Sequence, residues 1–405
     1  VCMDPPYYNN VQYGELSDFF YVWQKRTLHD LYPDIYSRRL TNKTDEAVAN
    51  PARDGGREAG DETYEQLMGD IFAECQRVLK SDGIMTIMFN HKDQAAWEAL
   101  TRSLIESGWI ITASFPVESE SSVDIHHKEV AATQSSIFLS CRKRESTDQQ
   151  PATWTGFGGS GVRNQVQQAV REGLQEFQAL NLNPVDEMVA SYGRALRVLS
   201  QNWPVLDGDK EVSPLQAMNE ASRVVAENQV SRITAGRLEV ADLNPEAAMA
   251  LTIYGIYGLA AFPYDDALNL SRSLRIRLEN VARGYHQEGR MIGINKESRG
   301  TSRDTENEDG YFAPLVRSGS SLRLALPGER HPRRMDDPQT EWDILHGMLR
   351  AFRAGDVPVA RAYLQEHADG RERLLMDLLR VWTAEMGDED LRKEGAALEF
   401  GLRET

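Results

Sequence analysis

The sequence predicts an α/β protein: the second half of a doubly wound, Rossmann-like sheet over residues 1–145, then a mainly α-helical domain. Three observations carry this. Short apolar runs alternate with amphipathic stretches through the first 145 residues and end in two adjacent strand-like runs. Residues 146–164 are polar, contain Pro151 and become Gly-rich, as a linker does. From Gln165 the apolar spacing is helical almost to the end, which makes 165–405 a second, mainly helical domain.

Each element has its own signal. VCM (1–3) is a strand end. Ser17 to Leu31 carries Phe19, Phe20 and Trp23 at helical spacing, with Ser17 as N-cap and the aromatics directed to the core. Residues 37–63 hold Pro51 and Gly55-Gly56 and read as an irregular insertion. Tyr64 to Lys80 is an amphipathic helix. Asp82-Gly83 turns the chain into GIMTIMFN (83–90), a strand of the kind buried in parallel sheets. Gln94 to Ser107 is a helix closed by Gly108. WIITASFPV (109–117) and SSIFLSCRK (135–143) form an antiparallel pair at a sheet edge. The second domain has helical segments at 165–180, 185–201, 212–229, 244–260, 264–284, 340–354, 357–367 and 370–385. Residues 285–310 read as a mobile loop, and SSLRLALP (320–327) as a short strand.

Composition narrows the function classes. The 45 basic and 62 acidic residues give a net charge of −17, spread over both parts. No domain is basic, which counts against a broad nucleic-acid face and leaves room only for a local basic groove. Cys2, Cys75 and Cys141 form no CxxC pair, which argues against a zinc site or disulfide framework and fits a reducing cytoplasm. No apolar run approaches the roughly 20 residues that span a bilayer.

The chemistry-bearing motif is Asp4-Pro5-Pro6-Tyr7, just past a strand end. Ligands of open α/β sheets bind at the carboxyl edge of the strands. Two prolines fix the backbone and remove two N–H donors, so carbonyls are left to accept. Asp4 and the Pro5 carbonyl can then accept together from one exocyclic amine, with Tyr7 as a flat face for a base. Methylating such an amine requires this positioning, and a base within a duplex reaches the pocket only when flipped out. Tyr8, Asn9, Asn10 and Tyr13 follow closely and are candidates for lining the pocket. Asn90, His91 and Lys92 leave the second strand on the same edge and are candidates for base or phosphate contact.

DPPYYNNVQYGELSDFFYVW resembles the catalytic region of DNA adenine amino-methyltransferases, which carry [DNS]PP[YF]. More narrowly, it resembles the large prokaryotic adenine-specific DNA methylases that contain a zinc ribbon and an N-terminal domain of unknown function. The resemblance continues through ANPARDGGREAGDE (49–62), RVLKSDGIMTIMFNHKDQAAWEAL (77–100), SGWIITASFPVESE (107–120) and ATQSSIFLSCRKR (132–144), and more weakly through 183–196, 248–258 and 340–352. It implies an S-adenosyl-L-methionine-dependent methyltransferase fold and DNA as substrate. It also implies a setting in restriction-modification or antiphage defence, with other defence proteins as partners. Asp4 would bind the target amine, Pro5 and Pro6 would shape the turn, and Tyr7 would stack on the base.

Two departures qualify the resemblance. The zinc-ribbon cysteines are absent. The family's donor motif, a strand followed by FxGxG, precedes the DPPY strand, so this chain is expected to be a C-terminal part that is inactive by itself. Phe157-Gly158-Gly159-Ser160-Gly161 fits FxGxG formally, but QQPATWTG before it is no strand, and a flexible linker is the expectation. A cytosine amino-methyltransferase, an RNA or protein-amide methylase and an inactive assembly module are the competing readings. Arg38, Arg39, Lys43, Arg53 and Arg57 are candidates for DNA backbone contact within an otherwise acidic insertion. His126-His127 reads as a surface loop, since adjacent residues point apart.

Overall fold

The computed structural model describes residues 1–91, 94–118, 135–145, 150–180, 182, 184–274, 276–281, 283–287, 290–293, 311–318 and 321–403. It is mixed α/β and mostly helical, with small sheets of mixed direction. Two compact units form: Val1–Glu120 with Gln134–Glu176 and Val189–Met218, and Ser121–Thr133 with Phe177–Met188 and Asn219–Thr405.

The first unit is built on a four-stranded sheet of β1 (Cys2–Met3), β2 (Met85–Phe89), β3 (Trp109–Glu118) and β4 (Ser135–Lys143), in the order β1-β2-β4-β3. β1 and β2 are parallel, and β4 runs antiparallel to both β2 and β3. β1, β2 and β3 therefore share a direction, and their carboxyl ends meet the start of β4 at one edge. The antiparallel edge pair agrees with the sequence reading. Burial on β2 differs from it: Met85, Ile87 and Phe89 are buried, while Thr86 and Met88 are only half-buried. The buried row packs with Ile137, Leu139 and Cys141 of β4 in the core.

Four helices belong to this sheet: α1 (Tyr13–Leu28), α2 (Pro51–Asp54), α3 (Arg57–Val78) and α4 (Gln94–Glu106). α3 buries Tyr64, Met68 and Phe72, and α4 buries Trp97, Leu100 and Leu104. Trp109 of β3 donates from Nε1 to the Phe72 carbonyl at 3.0 Å, tying sheet to helix.

Three local expectations are corrected. α1 starts at Tyr13 rather than at a Ser17 cap, because the Glu46 carboxylate accepts the Gly14 N–H at 2.7 Å and does the capping from a distance. Phe19, Phe20 and Trp23 are 67%, 63% and 56% exposed, not core. The helical spacing was real, but α1 buries only Tyr21, whose hydroxyl reaches the Arg38 carbonyl at 3.0 Å. Residues 37–63 are not irregular throughout. Asn50 caps α2 by accepting from Ala52 and Arg53 N–H, and α3 already runs from Arg57. Arg53 organises the segment, donating to the carbonyls of Lys43, Glu46 and Val48 at 2.8–3.0 Å.

The first unit also takes in residues that the sequence boundaries place in a linker and a second domain. β5 (Ala152–Thr153) lies in the 146–164 stretch. It is followed by most of α5 (Val162–Ala179), most of α6 (Pro184–Gln201), β6 (Val205–Asp207) and β7 (Lys210–Glu211), and the three strands form a second sheet. Specific bonds join this part to the first sheet. The Ile111 N–H donates to Ser200 Oγ at 3.0 Å, and Gln94 Nε2 donates to the Tyr192 hydroxyl at 3.1 Å. Apolar periodicity is blind to such ties, which is why a change of pattern near 145 looked like a domain boundary.

The second unit contains most of α7 (Pro214–Ile233), then α8 (Pro245–Tyr257), β8 (Phe262–Pro263), α9 (Tyr264–Ser273) and α10 (Leu278–Val281). A hairpin of β9 (Arg283–Gln287) and β10 (Arg290–Gly293) replaces the end of the helix expected over 264–284 and the start of the loop expected over 285–310; residues 294–310 lie outside the described residues. β11 (Leu315–Ser318) and β12 (Ser321–Leu324) complete a sheet with β8, as SSLRLALP predicts. α11 (Pro332–Asp336), α12 (Glu341–His367), α13 (Glu372–Glu385) and α14 (Glu389–Arg403) close the chain. α12 is interrupted at Gly355–Asp356, ahead of Pro358, where the sequence separates 340–354 from 357–367.

A polar knot sits at the start of α12. Arg330, 1% exposed, is bonded to Asp343 and to His346 Nδ1, the latter at 3.3 Å. Asp343 also accepts from Arg334 Nε at 2.8 Å and closes a capping box with Thr340. His346 is fully buried, so burial first, and then the positive Arg330 and Arg353, depress its proton affinity well below the ordinary value of 6.5. The unfolded chain thus takes up a proton below pH 6.5 that the folded unit refuses. Stability is expected to be flat above about pH 7.5 and to fall toward about pH 5.5 from this group alone. Urea unfolding between those pH values checks this, and His346→Gln is expected to flatten the slope.

Candidate functional site

Asp4 leaves β1 and Asn90 leaves β2 at the same sheet edge, where β4 begins with Ser135 and Ser136. Sequence and topology thus bring the first motif and the second-strand candidates together. Between them the backbone makes a tight turn. Tyr8 N–H donates to the Pro6 carbonyl at 2.9 Å and Asn10 N–H to the Tyr7 carbonyl at 3.1 Å. Tyr8 has φ +58°, a left-handed conformation that a non-glycine residue adopts at a cost of order 1–3 kcal/mol. Its neighbours hold it there. Its carbonyl accepts the Ala49 N–H at 3.0 Å, and its hydroxyl is bonded to Asp61 on α3.

The carbonyls of the two prolines are treated differently. The Pro6 carbonyl accepts twice, from Tyr8 N–H and from the Tyr64 hydroxyl at 3.1 Å. The Pro5 carbonyl has no hydrogen-bond donor among the described residues. Proline at position 6 has no N–H to offer, and proline at 5 has none either, so this stretch presents acceptors only. Asp4 itself is exposed. The turn therefore carries one exposed carboxylate and, on the adjacent buried Pro5, a carbonyl with no donor among the described residues.

Tyr7 is half-buried, with its ring edge-on to Phe89 of β2, centroids 5.4 Å apart. Burial, then hydrogen bonding to and repulsion by the Asp4 carboxylate, hold its phenol un-ionised well above the usual tyrosine range, against a smaller opposing hydrogen bond from Ser136. The phenol therefore stays protonated beside the Asp4 carboxylate. Ser136, 4% exposed, is a site residue that sequence reasoning missed. The available signal was its place at the start of the strand lying beside β2.

The remaining candidates separate clearly. Asn9, Asn10 and Tyr13 are exposed beside the turn, and Asn90 is half-buried at the edge. Tyr8 was a candidate for lining the pocket, but it is 1% exposed and packs edge-on against Tyr64 and His91, so it supports the turn from beneath. His91 is 5% exposed, and its carbonyl takes the Trp97 Nε1–H at 2.8 Å. That burial makes it a wall of the turn rather than a contact for phosphate. Lys92 and His126-His127 lie outside the described residues. Of the basic residues proposed for DNA, Arg53 spends its guanidinium on three carbonyls and Asp54, and Lys43 is paired with Asp18 at 2.6 Å. Arg38, Arg39 and Arg57 are exposed.

Phe157 to Gly161 follows β5, a two-residue strand of the smaller sheet, not of the sheet that carries Asp4. Its glycines answer to the loop's own closure. A Cβ on Gly161 would stand 2.3 Å from the Gly156 nitrogen and the Trp154 carbonyl oxygen, and Gly158 and Gly159 have φ of +64° and +88°. Glycine is needed here by the backbone whether or not a ligand approaches. Among the described residues no group of three or more His, Cys, Asp or Glu is placed to hold a metal ion, and no helix is long and apolar enough to cross a membrane.

Comparison of the chain with protein-family models, with curated proteins and with solved structures gives no match.

Proposed function

We propose that this chain carries the acceptor-binding site of a DNA amino-methyltransferase that acts on the exocyclic amine of adenine. The observation that carries the reading is the pairing of the exposed Asp4 carboxylate with an unengaged Pro5 carbonyl at the carboxyl edge of parallel strands. An adenine N6 amine has two hydrogens. Asp4 takes one and the Pro5 carbonyl takes the other, which draws the nitrogen lone pair out of conjugation with the ring. Tyr7 steadies Asp4 through its phenol and offers its ring beside the bound base. The base enters by flipping from the duplex.

The four-stranded sheet supports the reading as the second half of a Rossmann-like methyltransferase sheet: three co-directional strands with the reversed β4 inserted between β2 and β3. The resemblance of DPPYY and its flanks adds S-adenosyl-L-methionine as methyl donor and a restriction-modification or defence setting in the cytoplasm.

The test is label transfer from methyl-tritiated S-adenosyl-L-methionine to unmethylated DNA, followed by digestion to nucleosides. It is run on the chain alone and on the chain fused to the donor-binding half of an amino-methyltransferase. Label in N6-methyl-2′-deoxyadenosine from the fusion, and none from the chain alone, is expected. Label in N4-methyl-2′-deoxycytidine would move the acceptor to cytosine. The same assay is run with RNA and with protein as acceptor, and label in either of these with none in DNA would overturn DNA as substrate.

A further inference from the structure

We infer that Tyr64 and Asp61 of α3 are positioning residues that decide which carbonyl of the Pro-Pro turn receives the substrate amine. The inference deepens the amine-binding reading above and rests on it. A Pro-Pro turn carries two carbonyls, and an amine that could choose between them would be held in two orientations, only one of which engages Asp4 as well. The structure removes the choice. The Pro6 carbonyl is filled from both sides, by the Tyr8 N–H at 2.9 Å and the Tyr64 hydroxyl at 3.1 Å. An sp² carbonyl oxygen has two lone pairs, so no acceptor capacity remains there. The Pro5 carbonyl is left as the one partner for Asp4.

Both bonds depend on α3. Tyr64 is fully buried against the turn, and burial keeps its phenol protonated and donating. The Tyr8 N–H is aimed at Pro6 by the Tyr7–Tyr8 peptide, and the ring of that same residue is held in place where its hydroxyl meets the Asp61 carboxylate, one helical turn before Tyr64. Asp61 and Tyr64 are three residues apart, so they present side chains to the same face of α3. Their edge-on ring packing, Tyr8 against Tyr64 at 5.3 Å, makes the pair act as one clamp. Asp4, Pro5 and Tyr7 touch the amine or its base; Asp61 and Tyr64 do not, and they act through the turn.

The experiment titrates the chain with adenosine and with N6,N6-dimethyladenosine, which has no amine hydrogens, and compares Tyr64→Phe, Asp61→Asn and Asp61→Leu with the unsubstituted protein. Thermal unfolding is recorded for each. Adenosine is expected to bind at least about tenfold tighter than the dimethyl compound, the equivalent of losing about 1.4 kcal/mol when both hydrogen bonds go. Tyr64→Phe and Asp61→Leu are expected to reduce that ratio to about twofold or less. Asp61→Asn keeps an oxygen acceptor for the Tyr8 hydroxyl and is expected to keep the ratio. A folded Tyr64→Phe with the original ratio overturns the inference. If Tyr64→Phe does not fold, the Asp61 pair decides: equal ratios for Asn and Leu overturn it. If the unsubstituted protein fails to distinguish the nucleosides, the amine-binding reading fails instead. The clamp is then judged by the carbon-13 shift of the Pro6 carbonyl, which moves on Tyr64→Phe if the hydroxyl holds it and stays if it does not.

Discussion

Asp4→Ala is expected to lower amine methylation by about 10²–10³-fold, the loss typical of removing one preorganised polar partner of a reacting group. The substitution deletes the exposed half of the acceptor pair and removes the negative charge beside the Tyr7 phenol. The backbone turn does not depend on the Asp4 side chain: its bonds run through Pro6, Tyr7, Tyr8, Tyr64 and Asp61. Folding is therefore expected to be unchanged, and the loss to fall on turnover. Asp4→Asn retains a carbonyl oxygen that accepts from both the amine and Tyr7, and is expected to keep activity within about tenfold. Turnover of the fused protein on DNA, with thermal unfolding as control, checks both. Equal turnover for Asp4→Ala and the unsubstituted protein would remove Asp4 from the site.

The largest expected effect on stability is far from that turn. Asp343→Leu leaves the fully buried Arg330 guanidinium without its anion and deletes the carboxylate that caps α12 at Thr340. Stranding one member of a buried pair costs about 3–5 kcal/mol. Arg330 has compensating bonds to the Tyr311 and Phe312 carbonyls, at 3.2 and 3.0 Å, but these neutral acceptors do not balance its charge. The double variant Arg330→Met with Asp343→Leu removes both charges and is expected to recover part of the loss. Urea unfolding of the unsubstituted protein, Asp343→Leu, Arg330→Met and the double variant measures the coupling, and additive losses would mean the pair is not an energetic unit.

Much of the first sheet is legible in the sequence because the signals are local. β4 is found over 135–143 as predicted, and α4 within one residue, since each is a short run with one period and a turn residue at its border. Asp4 and the proline carbonyls are legible because a Pro-Pro turn constrains its own backbone. Two kinds of feature are not. The exposed aromatics of α1 have the same spacing as buried ones, and a period reveals a stripe without saying what covers it. Ser136, Asp61 and Tyr64 reach the site from positions 53 to 132 residues away from Asp4–Tyr8, so no local pattern announces them. Tyr64 was visible as the first apolar residue of a helix, but its hydroxyl's partner became visible only once the chain was folded.

The account stands or falls on whether the Asp4–Pro5 pair holds an adenine amine. The most direct measurement is a titration of the chain, carrying isotope-labelled tyrosine, with adenosine, N6,N6-dimethyladenosine and cytidine. A saturable shift of the Tyr7 ring signals, strongest for adenosine, weakened at least about tenfold for the dimethyl compound and abolished by Asp4→Ala, is the predicted result. Equal binding of adenosine and its dimethyl analogue, or binding that survives Asp4→Ala unchanged, would contradict it.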